Sequence, residues 1–441
     1  MGSYLSNTDA QQREMLREAG YRDWDHLFED LPPQVRLDRP LDLPAGGCEL
    51  EVRQRVEGMA AKNQVFPHVF RGADAYRHYI PAIVRQVTSK EEFVTAYTPY
   101  QAEISQGNLQ AIFEYQTMIC ELTGMDAANA SVYDGACAAA EAVFMCRDRR
   151  RGRVLVSGAV NPQTLETIRT YCHGRDTAVE VVPAKEGATD LETLAGMLDN
   201  QVACLVYQQP NYFGVIEDAA ALTAAVHGAG GKAIASCNPI SLGLMETPAQ
   251  AGADIAVGEG QPLGMPLSFG GPYLGFMACT QEMMRKLPGR IVGQTTDSQG
   301  KRGFVLTLQA REQHIRREKA SSNICSNEAL CALTASVYLS AMGPQGLRQA
   351  ATLCCSKAHY LQEQLAAAGL KPAYDREFFH EFVTRCPVEP HKLLARLEAE
   401  GYLGGLPLED GTLLWCATEL NTKEEMDHLV KLVKEAQNGW N

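Results

Sequence analysis

From about Val154 the chain alternates short, nearly continuous apolar runs with helical segments, and that rhythm limits the fold more than any other feature. "RVLVSG" is a β-branched run, "NPQTLETIRTYCHG" a helix closed by Gly174, and "TAVEVVP" another strand. The pattern returns in "VACLVYQQ", "EDAAALTAAVHGAGG", "KAIASCN", "TPAQAGA" and "DIAVGEG". Strands without polar alternation are buried on both faces, so the rhythm predicts an α/β fold with a parallel sheet between helices. Ligands of such sheets gather beyond the carboxyl ends of the strands. The strand tails "SGAVNP", "QQPNYFG", "SCNPIS" and "GEGQPLG" are therefore the segments expected to face a ligand.

The flanks differ. Residues 1–60 are expected to form a helical arm with proline-rich connectors: "MLREAG" ends at a C-cap glycine, and "DWDHLFEDLPP" starts at a capping acid and stops at Pro32-Pro33. The arm has too little apolar surface to fold alone, so it is expected to lie against a larger body or a second subunit. Residues 61–325 are expected to form the large α/β domain, and 326–441 a smaller α+β domain ending in an amphipathic helix from Lys423.

The chain of 441 residues carries a net charge of −13, which disfavours nucleic acid and anionic membranes as partners. No apolar run reaches the roughly 20 residues of a membrane span, and the polar start "MGSYLSNTDAQQREML" has no signal-peptide core, so a cytoplasmic location is expected. Met1-Gly2 with Ser6 matches the short myristoylation pattern, a weak match. Fourteen cysteines are scattered through apolar segments without a C-x-x-C pair or zinc-ligand spacing, which predicts buried, reduced thiols, no redox pair at Cys354-Cys355, and no metal.

Four strings carry a family resemblance: "AYTPYQAEISQGNLQAIFEYQT", "YDGACAAAEA", "PLSFGGPYLGFMA" and "RGFVLTLQAREQHIRREKASSNICSN". With "LFEDLP" near the start, they resemble the P-protein of the glycine cleavage system over nearly the whole chain, and the length suits the N-terminal of its two homologous subunit types. The resemblance implies the aspartate-aminotransferase-like architecture, fold type I of the pyridoxal-phosphate (PLP) dependent transferases. It also implies glycine decarboxylation with aminomethyl transfer to lipoylated H-protein, and assembly with a second, PLP-bearing subunit as an α2β2 heterotetramer.

In that fold one strand tail usually supplies an acid against the pyridine nitrogen, and a later one a Schiff-base lysine. Here those places hold Asn238, in "IASCNPIS", and Gln261, in "GEGQPLG". Lys232, Lys286 and Lys301 fall at the wrong sheet end or in surface turns. No PLP is therefore expected to be bound covalently on this chain. Gly135-Ala136 opens a helix whose N–H groups would suit a phosphate, as a vestigial cup. Gly270 and Gly271 are expected to turn the backbone tightly before "YLGFMA".

Tyr97, Tyr100, Gln101 and Glu103 sit in a proline-stiffened loop. By themselves the tyrosines could be core anchors, whereas the resemblance implies a loop that shapes the partner's glycine site. Arg311, His314, Arg316, Arg317 and Lys319 form a basic cluster, either a solvated helix face with i,i+4 pairs or an interface for an anion or the partner. Thr295 or Thr296 is expected to contact the partner's phosphate. Two other readings stay open: a catalytically inert scaffold, or an independent PLP enzyme with a displaced lysine.

Overall fold

The computed structural model describes residues 6–438 except 38, 40 and 321. The myristoylation pattern at Met1-Gly2 begins outside these residues. The chain divides into two compact units, 1–65 and 66–441. In the first, helix Asp9–Glu18 is capped reciprocally by Thr8 and Gln11, and Gly20 follows with a positive φ of 85°. Asp23 caps the next helix as expected, but that helix spans only Trp24–Leu27. Leu16 is the one buried side chain among the described residues of this unit, whereas Trp24, Phe28, Leu41, Leu43, Leu50 and Met59 are exposed.

The second unit is built on a seven-stranded sheet. Its strands are β1 (Ala127–Ala128), β2 (Arg153–Ser157), β3 (Val179–Val182), β4 (Val202–Gln209), β5 (Lys232–Cys237), β6 (Ile255–Glu259) and β7 (Gly275–Cys279). The spatial order is β1-β7-β6-β5-β4-β2-β3. The pairs from β6 through β3 are parallel, whereas β7 runs antiparallel to β6 and β1.

Side chains alternate across this sheet. Leu155, Leu205 and Ala235 pack on one face with helices Gln106–Thr123 and Ala329–Ala367. Val156, Val206 and Ile234 pack on the other with helices Gly135–Cys146 and Pro162–His173. Both faces are covered, which is why these strands carry no polar alternation. Each fully buried Val, Leu or Ile contributes roughly 1.5–3 kcal/mol.

After the long helix, which breaks at Gly343 (φ 60°) before Pro344, a three-stranded antiparallel sheet forms from Glu381–Arg385, Leu406–Pro407 and Thr412–Cys416. Helices Pro390–Ala399 and Lys423–Asn438 complete a core around Leu361, Leu397, Trp415 and Leu429. Phe70 belongs to that core, and His68–Val69 pairs with Tyr402–Leu403.

Two local expectations differ from the structure. "TPAQAGA" forms turns rather than a regular element, and "REQHIRREK" is not one helix. The basic segment holds a single turn, Gln313–Arg316, ended by Arg317 at φ 53°, ψ −125°. All cysteines are free, and among the described residues no helix is long and apolar enough to cross a membrane.

Candidate active-site cavity and the family it belongs to

A cavity of 490 Å³ opens at the carboxyl end of the sheet. All four strand tails singled out above reach it: Asn161 after β2, Gln208 at the end of β4, Ser236 to Asn238 at the end of β5, and Glu259 closing β6. Each strand ends where its apolar run gives way to polar residues, so the ligand-facing edge follows from strand length alone.

Among the described residues three carboxylates line the cavity, with no lysine, arginine or histidine beside them. Asp74 Oδ2 accepts from Asn161 Nδ2 at 2.6 Å and Oδ1 from Gln208 Nε2 at 3.1 Å. Burial raises the Asp74 carboxyl above its usual range despite these donors. Glu259 Oε1 accepts from the N–H groups of Gln261 and Leu274, both at 2.9 Å, and Oε2 from Gly135 N–H at 3.0 Å. Burial pushes Glu259 up to about 7, the backbone donors offsetting only part of the penalty.

Asp134 caps helix Gly135–Cys146, its Oδ1 accepting from Cys137 N–H at 2.7 Å. Glu259 and Asp134 thus already engage two of the N–H groups offered by the cup around Gly135 and Ala136. A phosphate would meet two carboxylates there. Asp134→Ala should cost about 1 kcal/mol, the usual worth of such a cap, read as a lower urea midpoint; an unchanged midpoint would show that Glu259 alone suffices.

Asn238, at the place where the resemblance implies an acid, follows β5 and lines the cavity. Its Oδ1 accepts from Ile240 N–H at 2.9 Å and Ser241 N–H at 3.3 Å, and its buried Nδ2 has no partner. An amide there carries no negative charge, whereas a pyridinium nitrogen needs a charged acceptor. Gln261 is fully buried and outside the lining; its Nε2 donates to Tyr76 O and Met265 O, both at 2.8 Å, and its Oε1 accepts from Tyr76 N–H at 2.9 Å. It clips the Tyr76 segment to the β6 tail. Lys232 begins β5 at the opposite sheet end and donates to Asp254 at 2.9 Å, while Lys286 and Lys301 are exposed. These residues do not fit a phosphorylated aldehyde cofactor. Gly270 and Gly271, at φ 110° and 142°, supply the turn expected before β7, and Gly270 lines the cavity.

The other singled-out residues lie elsewhere. None of Tyr97, Tyr100, Gln101, Glu103, Thr295, Thr296 or the basic segment lines the cavity. Tyr97 is 97 % exposed, and Gln101 and Glu103 are also exposed. Tyr100 is half-buried against Leu109, Val292 and Phe304, and its hydroxyl donates to Asn327 Oδ1 at 2.7 Å.

Thr295 and Thr296 are exposed on the hairpin formed by Val292–Thr296 and Arg302–Leu306. Arg290 joins these pieces: its guanidinium lies 5.1 Å from the Tyr100 ring centroid and pairs with buried Glu312. His314 Nδ1 lies 3.7 Å from the same carboxylate, and Arg311 donates to Gly289 O at 2.9 Å. Burial lowers the Arg311 guanidinium to about 10. His314, Arg316, Arg317 and Lys319 are exposed. The tyrosine loop, the threonine hairpin and the start of the basic segment thus form one layer outside the chain's own cavity.

Arg290 and Glu312 are the residues of this layer that sequence reasoning missed, and nothing in their local pattern singles them out. Glu259 and Asp134 were missed too; the signals that could have pointed to them are an acid within a strand tail and an acid just before a helix.

The family model described as "Glycine cleavage system P-protein" matches residues 2–433. This chain belongs to the glycine cleavage system P-protein family. It is 50 % identical over 440 residues to the "Probable glycine dehydrogenase (decarboxylating) subunit 1" of Moorella thermoacetica, covering 98 % of this chain and 99 % of that one. The protein of the same description from Desulfitobacterium hafniense is 49 % identical over 438 residues, covering 97 % and 98 %. Among solved structures, a glycine decarboxylase (P-protein) of the glycine cleavage system in inhibitor-bound form superposes with a TM-score of 0.93 at 41 % identity, covering 99 % of this chain and 100 % of that one. An aspartate aminotransferase from Thermus thermophilus, at 16 % identity and TM-score 0.59 over 84 % of this chain and 99 % of that one, shares the fold. The P-protein chain therefore has the fold type I architecture that the resemblance implied.

Proposed function

We propose that this P-protein chain is the subunit without a cofactor anchor in a two-subunit glycine dehydrogenase (decarboxylating). The observation that carries this reading is the near full-length identity with chains described as subunit 1 of that enzyme. Glycine loses its carboxyl carbon as carbon dioxide, and the aminomethyl group passes to the lipoyl arm of H-protein. PLP supplies the electron sink for such chemistry and belongs to the homologous second subunit, in a cytoplasmic α2β2 assembly.

The lining of the cavity supports this division of labour, since it holds no lysine among the described residues and sets carboxylates at the helix end where a phosphate would sit. The contribution of this chain is then to its partner's pocket. Tyr97, Tyr100, Gln101 and Glu103 shape the glycine site there, and exposure of most of that loop leaves its polar groups available to a partner. Thr295, Thr296 and the basic residues Arg311, His314, Arg316, Arg317 and Lys319 serve the interface or an anion held at it, guanidinium forks being suited to phosphate and carboxylate.

The test is co-expression with a candidate second subunit. Co-purification and glycine-dependent bicarbonate exchange by the pair, with neither activity nor a borohydride-reducible absorption band in this chain alone, is the expected result. A yellow, reducible imine band on the isolated chain would support an independent enzyme instead. Full exchange by the second subunit without this chain would leave it only a scaffold.

A further inference from the structure

Four segments distant in sequence converge on a buried cluster that the glycine reading does not use. His78 follows the cavity segment, Cys354 lies within helix Ala329–Ala367, Glu419 follows strand Thr412–Cys416, and His380 precedes strand Glu381–Arg385. Glu419 Oε2 lies 2.8 Å from His78 Nδ1 and accepts from Cys354 Sγ at 3.2 Å; its Oε1 accepts from Tyr79 N–H at 2.6 Å. The ligating atoms of His78, Cys354 and Glu419 all fall within 4.8 Å of one another.

An ion pair between His78 and Glu419 accounts for only part of this geometry. His78 Nε2, both ring nitrogens of His380 and the Tyr338 hydroxyl are buried without a partner. His380 is 2 % exposed, and its ring centroid lies 6.5 Å from that of His78. Tyr338 lies on the same helix as Cys354, and burial, with the Glu419 carboxylate adding to it, pushes its hydroxyl up. Buried polar atoms are nearly always satisfied, so four orphans at one spot point to a bound species.

We propose that His78, Cys354 and Glu419 bind a divalent cation of the zinc type. An imidazole, a thiolate and a carboxylate form a mixed N/S/O set that suits zinc, whose bonds are about 2.0–2.3 Å. Binding breaks the Cys354 S–H bond and releases its proton to solvent, so the thiolate and Glu419 neutralise the cation. The remaining tetrahedral position falls to His380 or to a water that would partner the His380 and Tyr338 groups. The ion would tie the long helix to the segment at His78 and to the C-terminal layer.

The test uses the full chain, stripped with a chelator and then dialysed against zinc or cobalt(II). About one zinc per chain is expected, and a thiolate-to-cobalt charge-transfer band. Cys354→Ser should abolish that band and weaken zinc binding by at least the ten- to hundred-fold, roughly, that losing even an outer partner costs a metal site. Glu419→Gln should weaken binding similarly, with folding followed by circular dichroism. Folded wild-type chain that keeps no zinc, or equal cobalt spectra for wild type and Cys354→Ser, would overturn the proposal. If both variants fail to fold, the wild-type spectrum decides: a thiolate band supports the site and its absence refutes it.

Discussion

Tyr100→Phe in the assembled two-subunit enzyme should lower glycine-dependent bicarbonate exchange by well over about tenfold, a loss that misplacing a site group by about 1 Å readily produces. Co-purification of the two subunits should not change. The hydroxyl holds Asn327 Oδ1 at 2.7 Å, and Arg290 lies over the ring, so deleting one oxygen loosens the loop without emptying its apolar seat. Asn327 in turn donates to Ala130 O at 3.1 Å and Ser131 Oγ at 3.0 Å, which ties the loop to the edge of the main sheet. Glu103→Gln should act in the same direction through the exposed part of the loop. Assembled mutants with full exchange would remove these residues from the partner's site and leave the chain a scaffold.

Glu259 should make the chain less stable as pH rises, by an amount of the order of a few kcal/mol between pH 5 and pH 8. Its carboxyl ionises at 4.5 when exposed and at about 7 in the fold. Between those values the folded chain keeps a proton that the unfolded chain has released, so its contribution is complete below 4.5 and is lost as pH passes through about 7. Buried Glu217 and Asp74 are raised by burial too and push the same way. Glu259→Gln removes this titration but offers one acceptor oxygen to three backbone N–H groups, leaving an amide N–H facing a donor at a cost of about 1–3 kcal/mol. The variant should therefore trail wild type most at pH 5 and approach it at pH 8. Urea midpoints at pH 5, 6.5 and 8 would show this. A gap that widens with pH would contradict the assignment.

Gln261 and Asn238 could be placed from the sequence directly, because both follow recognisable strands. The plugged helix end could not. Gly135 advertises a free N-terminus in any local window, and only the pairing of β6 beside β7 brings Glu259 to its N–H. The basic segment misled for a related reason: its charge spacing suits a helix, yet Glu312 is drawn inward to Arg290, and Arg317 adopts a conformation that ends the turn.

The sequence by itself determined the alternation of buried strands and helices, the edge on which a ligand would gather, and the family. These are local signals, written in side-chain period and in strings a few residues long. Only the tertiary structure decided that carboxylates fill the cofactor-like cavity and that Tyr100, Arg290 and Glu312 meet in a layer outside it. Such outcomes depend on which charges are taken out of water together by segments that meet only in the fold, and no local pattern encodes that desolvation.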